Sequence, residues 1–289
     1  MGRTTLRWLL ALGLLGSLSA HAASPVWAVR GAHNTVYLAG SIHMLPADDA
    51  ALPPGFARSY ADSARLVMEL DLGKLDPMEA MAWMMDHGAL PAGTTLRGLL
   101  GEQRYGRVSA AATGLGLPMA ALDSLAPWVV GIEITEHAYE HEGYDPEQGV
   151  EEQLVRRAEK DGKPTAGLET MAEELSGLTE LSSADQIRML DQTVDDLKDL
   201  KSDMRDVTAA WRRGDATRLA ALLSSEYNSF PSLYKPLVTD RNRRWLPQVE
   251  ELLKANDNSL VVVGALHLVG QGGLLELLRK KGYTIKQLD

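Results

Sequence analysis

The sequence predicts an α/β fold: a central sheet formed by N- and C-terminal strands, flanked by helices, with a helical insertion in the middle over about residues 77–245. Three observations carry this reading. β-Branched and aromatic runs lie just after residue 25 and again at 259–264, and a short apolar run occupies Arg65 to Leu70. The long stretch between them lacks strand alternation and instead spaces Ala, Leu, Met and Glu helically, with Gly and Pro as punctuation.

The first residues are set apart from the fold. Arg3 and Arg7 form a basic start, Trp8 to Leu18 is apolar, and Ala20-His21-Ala22 is a small-x-small cleavage site. Residues 1–23 therefore read as a signal peptide, with cleavage expected after Ala22 or Ala23 and a periplasmic or secreted domain over 24–289. The apolar run is too short for a comfortable bilayer span and none like it recurs, so no transmembrane segment is expected after cleavage.

Val26 to Arg30 and Thr35 to Gly40 read as two strands joined by a turn at Gly31 to Asn34, and His43 follows the second. A helix starts near Pro53 to Gly55. Arg65 to Leu70 reads as a buried strand whose Glu69 emerges at the strand terminus. From Pro77 to Arg157 the pattern is helical, broken at Gly93, at Gly114 to Pro118 and at Gly143 to Pro146. Lys163 to Glu169 reads as a further strand, Ser182 to Arg213 as one long amphipathic helix after a Ser cap, and Leu219 to Arg244 as helix with a loop around Pro231 to Pro236. A buried strand over Ser259 to Gly264, a helix over Gly272 to Lys281 and a closing strand over Tyr283 to Lys286 end the chain.

Composition narrows the chemistry. The chain has no cysteine, which excludes disulfides and a lipidated thiol, so any metal ligand must be His or carboxylate. With 45% hydrophobic and 24% charged residues, the roughly 265 residues after the signal can bury an ordinary core. Loss of Arg3 and Arg7 leaves 27 Lys+Arg against 39 Asp+Glu, a net charge of −12, which argues against nucleic acid and anionic membrane as partners.

Two segments share one form, Leu38-Ala39-Gly40-Ser41-Ile42-His43 and Val262-Val263-Gly264-Ala265-Leu266-His267. Each is an apolar strand running into Gly-x-x-His. Ligands of open α/β sheets gather beyond strand carboxyl ends, where glycine permits a tight backbone path, so the two imidazoles can face one cleft. Each histidine alone could instead cap its strand by bonding a backbone carbonyl.

His137-Ala138-Tyr139-Glu140-His141 also fits the inverted zincin pattern, two histidines one helical turn apart with a glutamate base. Gly143 ends that helix at once, and solvated histidines suit a helix C-terminus, which is the favoured explanation. Met78, Met81, Met84 and Met85 with Trp83 form a stripe read first as helix core, with a peptide-accepting groove as its functional version. Asp145 reads equally as a cleft carboxylate or a helix N-cap. His33 and His87 show no partners.

The paired segments, with Val67 to Asp71, Gly167 to Thr170, Arg241 to Arg244 and Val263 to Gly270, resemble the TraB/GumN family, to which the animal Tiki proteins are related. The likeness runs from about Val26 to the end. It implies a fold related to the erythromycin esterase and ChaN proteins and, from the Tiki branch, a metal-dependent peptidase using manganese- or cobalt-like ions; substrate does not transfer within the family. By this resemblance His43 and His267 are metal ligands, and Glu69 is a third ligand or the general base, the alternative for it, as for Glu169, being a carboxylate that merely pairs with Arg241 or Arg244. Glu169 is a further cleft carboxylate and ligand. Arg241 and Asn242, with Arg244, hold a substrate carboxylate or a developing oxyanion.

The expectation is an exported hydrolase using a divalent ion (Mn, Co or Zn) to cleave a peptide or a small amide or ester. The alternative is a non-catalytic periplasmic protein that binds a peptide or small ligand in the same cleft, and a structural role in an envelope assembly is a third.

Overall fold

The structure, a computed structural model, describes residues 23–228 and 231–289, and side chains outside 225–232. The signal segment expected over 1–23 lies outside the described residues, Ala23 excepted. Among the described residues no helix is long and apolar enough to cross a membrane.

Eight strands are present among the described residues: β1 Val26–Arg30, β2 Thr35–Ser41, β3 Leu45–Pro46, β4 Arg65–Met68, β5 Tyr144–Asp145, β6 Thr165–Gly167, β7 Ser259–Gly264 and β8 Ile285–Gln287. Six form one sheet in the order β6-β4-β7-β2-β1-β8, and β3 pairs with β5 beside it. Within the sheet β6, β4, β7 and β2 are mutually parallel, while β1 runs antiparallel to β2 and β8. The central sheet with flanking helices predicted from the sequence is the observed architecture, and strands from both chain ends meet at its middle. β2 lies beside β7 with Ser41 opposite Gly264, so the two Gly-x-x-His segments are spatial neighbours.

Burial on both faces explains the apolar runs. Leu260 to Val263 in β7, Leu38 and Ala39 in β2, and Leu66 and Met68 in β4 are fully buried, as parallel strands covered by helices require. Trp211 and Trp245 pack into this core, and the Trp211 Nε1 donates to the Gly40 carbonyl at 2.7 Å, satisfying a buried acceptor at the end of β2. A second core serves the insertion: Leu96, Leu100 and Val108 from the helix Leu96–Gly114 meet Val130 and Ile134 from the helix Pro127–His141 and Leu190 from the helix Ser183–Asp196.

Three local expectations are corrected. The single helix expected over Ser182 to Arg213 is two, Ser183–Asp196 and Leu200–Arg212. Asp195 and Asp196 oppose the dipole at the first C-terminus, whereas Asp203 suits the first turn of the second. The loop expected around Pro231 to Pro236 is a helical turn, Pro231–Tyr234, followed by a π-helical turn, Lys235–Thr239, running straight into the helix Asp240–Leu252. A wider turn tolerates Pro236, whose nitrogen cannot donate.

The methionine stripe is not core. Met78, Met81 and Met85 are 72%, 60% and 70% exposed. The helix Pro77–Gly88 instead turns Trp83 and Met84 inward against Trp128 and Val129. At 100° per residue Trp83 lies opposite the three exposed methionines and Met84 on the flank between, and none of the four methionines lines the large cleft described below.

Candidate functional site

The parallel strands deliver their carboxyl ends to one edge, where ligands of α/β sheets collect. His43 stands just beyond β2, Glu69 follows β4 directly, Glu169 follows β6, and His267 sits on the short helix Ala265–Leu268 after β7. A cleft of about 980 Å³ opens there, with His43, Glu69, Arg241, Gly264 and His267 on its sheet side. The helices Pro127–His141, Ser183–Asp196 and Leu200–Arg212 form its far wall. A second pocket of about 400 Å³ by Ala51, Arg58 and Arg212 contains none of these groups.

His267 is buried and its tautomer is fixed by Asn242. The Asn242 Nδ2 spends both protons on backbone carbonyls, of His267 at 3.1 Å and Gly272 at 2.9 Å, so its Oδ1 must accept. The donor is His267 Nδ1 at 2.8 Å, which makes Nε2 an acceptor, and Arg241 Nη1 lies 3.3 Å from it. Burial first, against the field of Glu69, lowers the His267 pKa to about 4, so the ring is neutral at pH 7. Trp245 packs against it with ring centroids 4.5 Å apart.

His43 has the opposite character. Its Nδ1 lies 2.9 Å from Glu151 Oε1, and the same oxygen accepts the Ser41 hydroxyl at 2.5 Å. The Glu151 charge, outweighing partial desolvation, raises the His43 pKa to about 10. Glu151 is buried, and although burial alone would raise its carboxyl, His43 and the bonds from His43 and Ser41 hold it below the ordinary range. With Nδ1 so anchored, Nε2 is the atom His43 offers to the cleft.

Arg241 fills the space between the carboxylates. Its Nη2 pairs with both Glu69 and Glu169, its Nε donates to Glu169 at 2.8 Å, and Glu174 Oε1 lies 3.5 Å from Nη2. Glu69 also accepts the Gly264 N–H at 2.6 Å. Burial would raise the Glu69 pKa, but His267, Arg241, His43 and that N–H together hold it at about 2. Glu174 is compensated less: desolvation and the charges of Glu69 and Glu169 outweigh Arg241 and His43 and raise it to about 7.

Glu69, Glu169 and Glu174 bring oxygens within 4.8 Å of one another, a spacing that can hold a metal ion. All three, however, converge on the Arg241 guanidinium, which already supplies their cation. A second donor set, His43, Glu69 and His267, gathers around Gly264, although among the described residues only the three glutamates bring their ligand atoms within 4.8 Å of one another. A Cβ placed on Gly264 would lie 3.4 Å from Glu69 Oε1, 3.6 Å from His267 Cδ2 and 3.9 Å from His43 Nε2, so the absent side chain leaves these three groups a common space. His267 Nε2 is 3.9 Å from Glu69 Oε1. Both imidazoles carry the outer-shell acceptor on Nδ1 that metal-ligating histidines use. Gly40 has a separate role, since a Cβ there would press on Ala265 at 3.2 Å.

The structure thus brings His43, Glu69, His267 and Arg241 together and shows three further expected site residues, Asn242, Glu169 and Arg244, already engaged by protein partners. Asn242 is fully buried with every polar atom engaged, so it positions His267 rather than touching substrate. The carboxylate of Glu169 is saturated by Arg241, by Arg244 at 3.4 Å and by the Trp245 Nε1 at 3.1 Å, and it does not line the cleft. Arg244 is turned to Glu169 rather than to the cleft.

The inverted zincin constellation is not assembled: His137 Nδ1 lies 3.0 Å from the Glu133 carbonyl, and no carboxylate joins it and His141 among the described residues. Asp145 is an N-cap, accepting the Glu147 N–H at 2.8 Å. His87 stacks on Trp83.

Sequence reasoning missed Glu151 and Glu174. Both carry a readable signal, a carboxylate on an apolar helical stripe: Glu151 with Leu154, Val155 and Ala158, and Glu174 between Met171 and Leu178.

Residues 25–287 match the TraB/PrgY/gumN family. The chain belongs to this family. Two curated proteins resemble this TraB/PrgY/gumN member, the "Uncharacterized protein YbaP" of Escherichia coli (strain K12) and that of Shigella flexneri. Each is 24% identical over 243 residues, covering 84% of this chain and 87% of the relative. No solved structure matches the chain.

Proposed function

We propose that this TraB/PrgY/gumN protein is an exported metal-dependent hydrolase, acting on a peptide or a small amide or ester in the sheet-edge cleft. One observation supports the reading: two histidines from opposite ends of the chain are each anchored through Nδ1 and stand with Glu69 around Gly264 in an open cleft, His267 Nε2 lying 3.3 Å from Arg241 Nη1.

His43, His267 and Glu69 would hold the ion, manganese, cobalt or zinc, which when bound supplies Lewis acidity toward a substrate carbonyl. Arg241 fixes the Glu69 carboxylate by its ion pair. Glu174 lines the cleft outside this donor set and serves as the proton carrier. It takes the proton from water as the oxygen adds to the carbonyl carbon, and returns it to the leaving nitrogen as the C–N bond breaks. Export rests on the residues of the amino-terminal segment and predicts a mature protein beginning at Ala23 or Ser24.

A ligand-binding role without turnover is the second reading, favoured by one observation: Arg241 already neutralises the carboxylates that an ion would otherwise attract. Peptide-library hydrolysis with and without added Mn²⁺, beside metal analysis of protein purified without a chelating tag, separates the two. The hydrolase reading expects metal-dependent cleavage, and metal content lost in both His43→Ala and His267→Ala. Hydrolysis indifferent to metal and to both substitutions, or no hydrolysis from metal-loaded protein, overturns it.

A further inference from the structure

The cleft differs in charge from the rest of the molecule. Over the whole chain Asp+Glu number 39 against 29 Lys+Arg, and the cleft is lined by Glu69, Glu136, Glu140, Glu174, Asp196 and Asp203 against Arg241 and His43, the latter paired with Glu151. Arg241 is consumed by its own carboxylates, so it does not offset the far wall. There, Glu136 and Glu140 stand one turn apart on one helix, facing Asp196 and Asp203 on the next two. Among the described residues none of these four pairs with a Lys or Arg, and neighbouring lysines are spent elsewhere, Lys201 on Glu142 for example. A concave wall of one sign focuses its field on whatever enters.

The surfaces between the carboxylates are apolar. Ile132, Leu197, Leu200 and Met204 line the same wall, and the Tyr139 and Tyr144 rings lie 6.4 Å apart at its edge. Long cationic side chains match this combination, with an aliphatic stem for the leucines, a charged head for the carboxylates and a cation over an aromatic face. An anionic or purely apolar ligand would leave the carboxylates unanswered.

Resting on the cleft assigned above, we propose that its ligand is a positively charged peptide segment, its Lys or Arg side chains received by Glu136, Glu140, Asp196 and Asp203. Crowding of like charge supports this: desolvation within the cleft, then Glu133 and Glu140, hold the Glu136 carboxyl above its ordinary range.

The test is binding rather than turnover, so that it stands apart from the hydrolase reading. Fluorescence anisotropy of the full-length metal-free protein is measured with a neutrally labelled peptide of alternating Ala and Lys, and with its Ala and Glu counterpart. The lysine peptide is expected to bind at least about 10-fold more tightly, with the preference shrinking between roughly 50 and 300 mM salt as the field is screened. Glu136→Gln, Glu140→Gln and Asp203→Asn together, all at exposed positions, are expected to abolish the preference. Equal binding of both peptides, binding of neither, or a preference that survives the triple substitution overturns the inference. The preference upholds the inference whether or not the metal-loaded protein cleaves peptides, and absence of cleavage from metal-loaded protein removes the hydrolase reading alone.

Discussion

Asn242 grips His267 from two directions, accepting from its ring Nδ1 at 2.8 Å and donating to its backbone carbonyl at 3.1 Å. A neutral amide thereby sets the tautomer of a buried imidazole with no net charge of its own. Asn242→Ala is expected to orphan the His267 and Gly272 carbonyls, each costing about 1–3 kcal/mol when buried without a partner. It also releases the ring, for which a fall of about 10–100-fold in affinity for added Mn²⁺ is expected. Urea denaturation and metal titration of the same variant check both effects; unchanged metal affinity in a folded variant would remove Asn242 from the site.

His43 and Glu151 form the charged counterpart of that neutral pair, and their coupling fixes the sign of a pH effect. The His43 pKa is raised in the fold, from 6.5 to about 10, with Glu151 the leading cause. A group raised in this way contributes its stability in full below the unfolded value and loses it as pH climbs through the folded one. Stability owed to His43 therefore disappears between about pH 6.5 and 10. Glu151→Gln removes the charge, and the titration midpoint of the His43 ring, followed by NMR in metal-free protein, is expected to fall back toward its ordinary value. An unmoved midpoint would sever the pair.

Much of this arrangement was legible in the sequence because strands and glycines carry strong local signals. The run Leu260 to Val263 has no polar residue to place in water, and Gly264 and His267 follow it at the same spacing as Gly40 and His43. What strands do not encode is which helix closes over their ends. Glu151 and Glu174 sit in first turns, where acidic residues are ordinary for the dipole, so their function hides behind a local preference. Asn242 and Glu169 misled for a related reason: the sequence shows the polar group but not the partner that has already claimed it. The methionines erred the other way, since helical spacing reports that residues share a face without saying which way that face turns.

Arg241 is the cation on which the buried carboxylates depend. Removing one partner of a buried ion pair leaves the other uncompensated, typically at about 3–5 kcal/mol. Arg241→Ala strips the ion-pair partner from the almost wholly buried Glu69 and leaves the equally buried Glu169 with only Arg244 and the Trp245 Nε1. A loss of at least about 3 kcal/mol is expected at pH 7 by denaturant unfolding, partly recovered in the double variant with Glu169→Gln. A variant as stable as the parent would mean that solvent or an ion reaches these carboxylates as readily as the guanidinium does.

Two sets of large side chains should part company in stability measurements. Trp128 is fully buried within the insertion, whereas Met78, Met81 and Met85 stand in solvent. Trp128→Ala is expected to cost about 3–5 kcal/mol through lost transfer and a residual cavity. Each methionine changed to Gln is expected to stay within about 0.5 kcal/mol of the parent, as surface changes do. Thermal unfolding of the four single variants is sufficient. A methionine variant that loses as much as Trp128→Ala would mean the helix Pro77–Gly88 buries the face it is found to expose, and the inward placement of Trp83 and Met84 would be wrong with it.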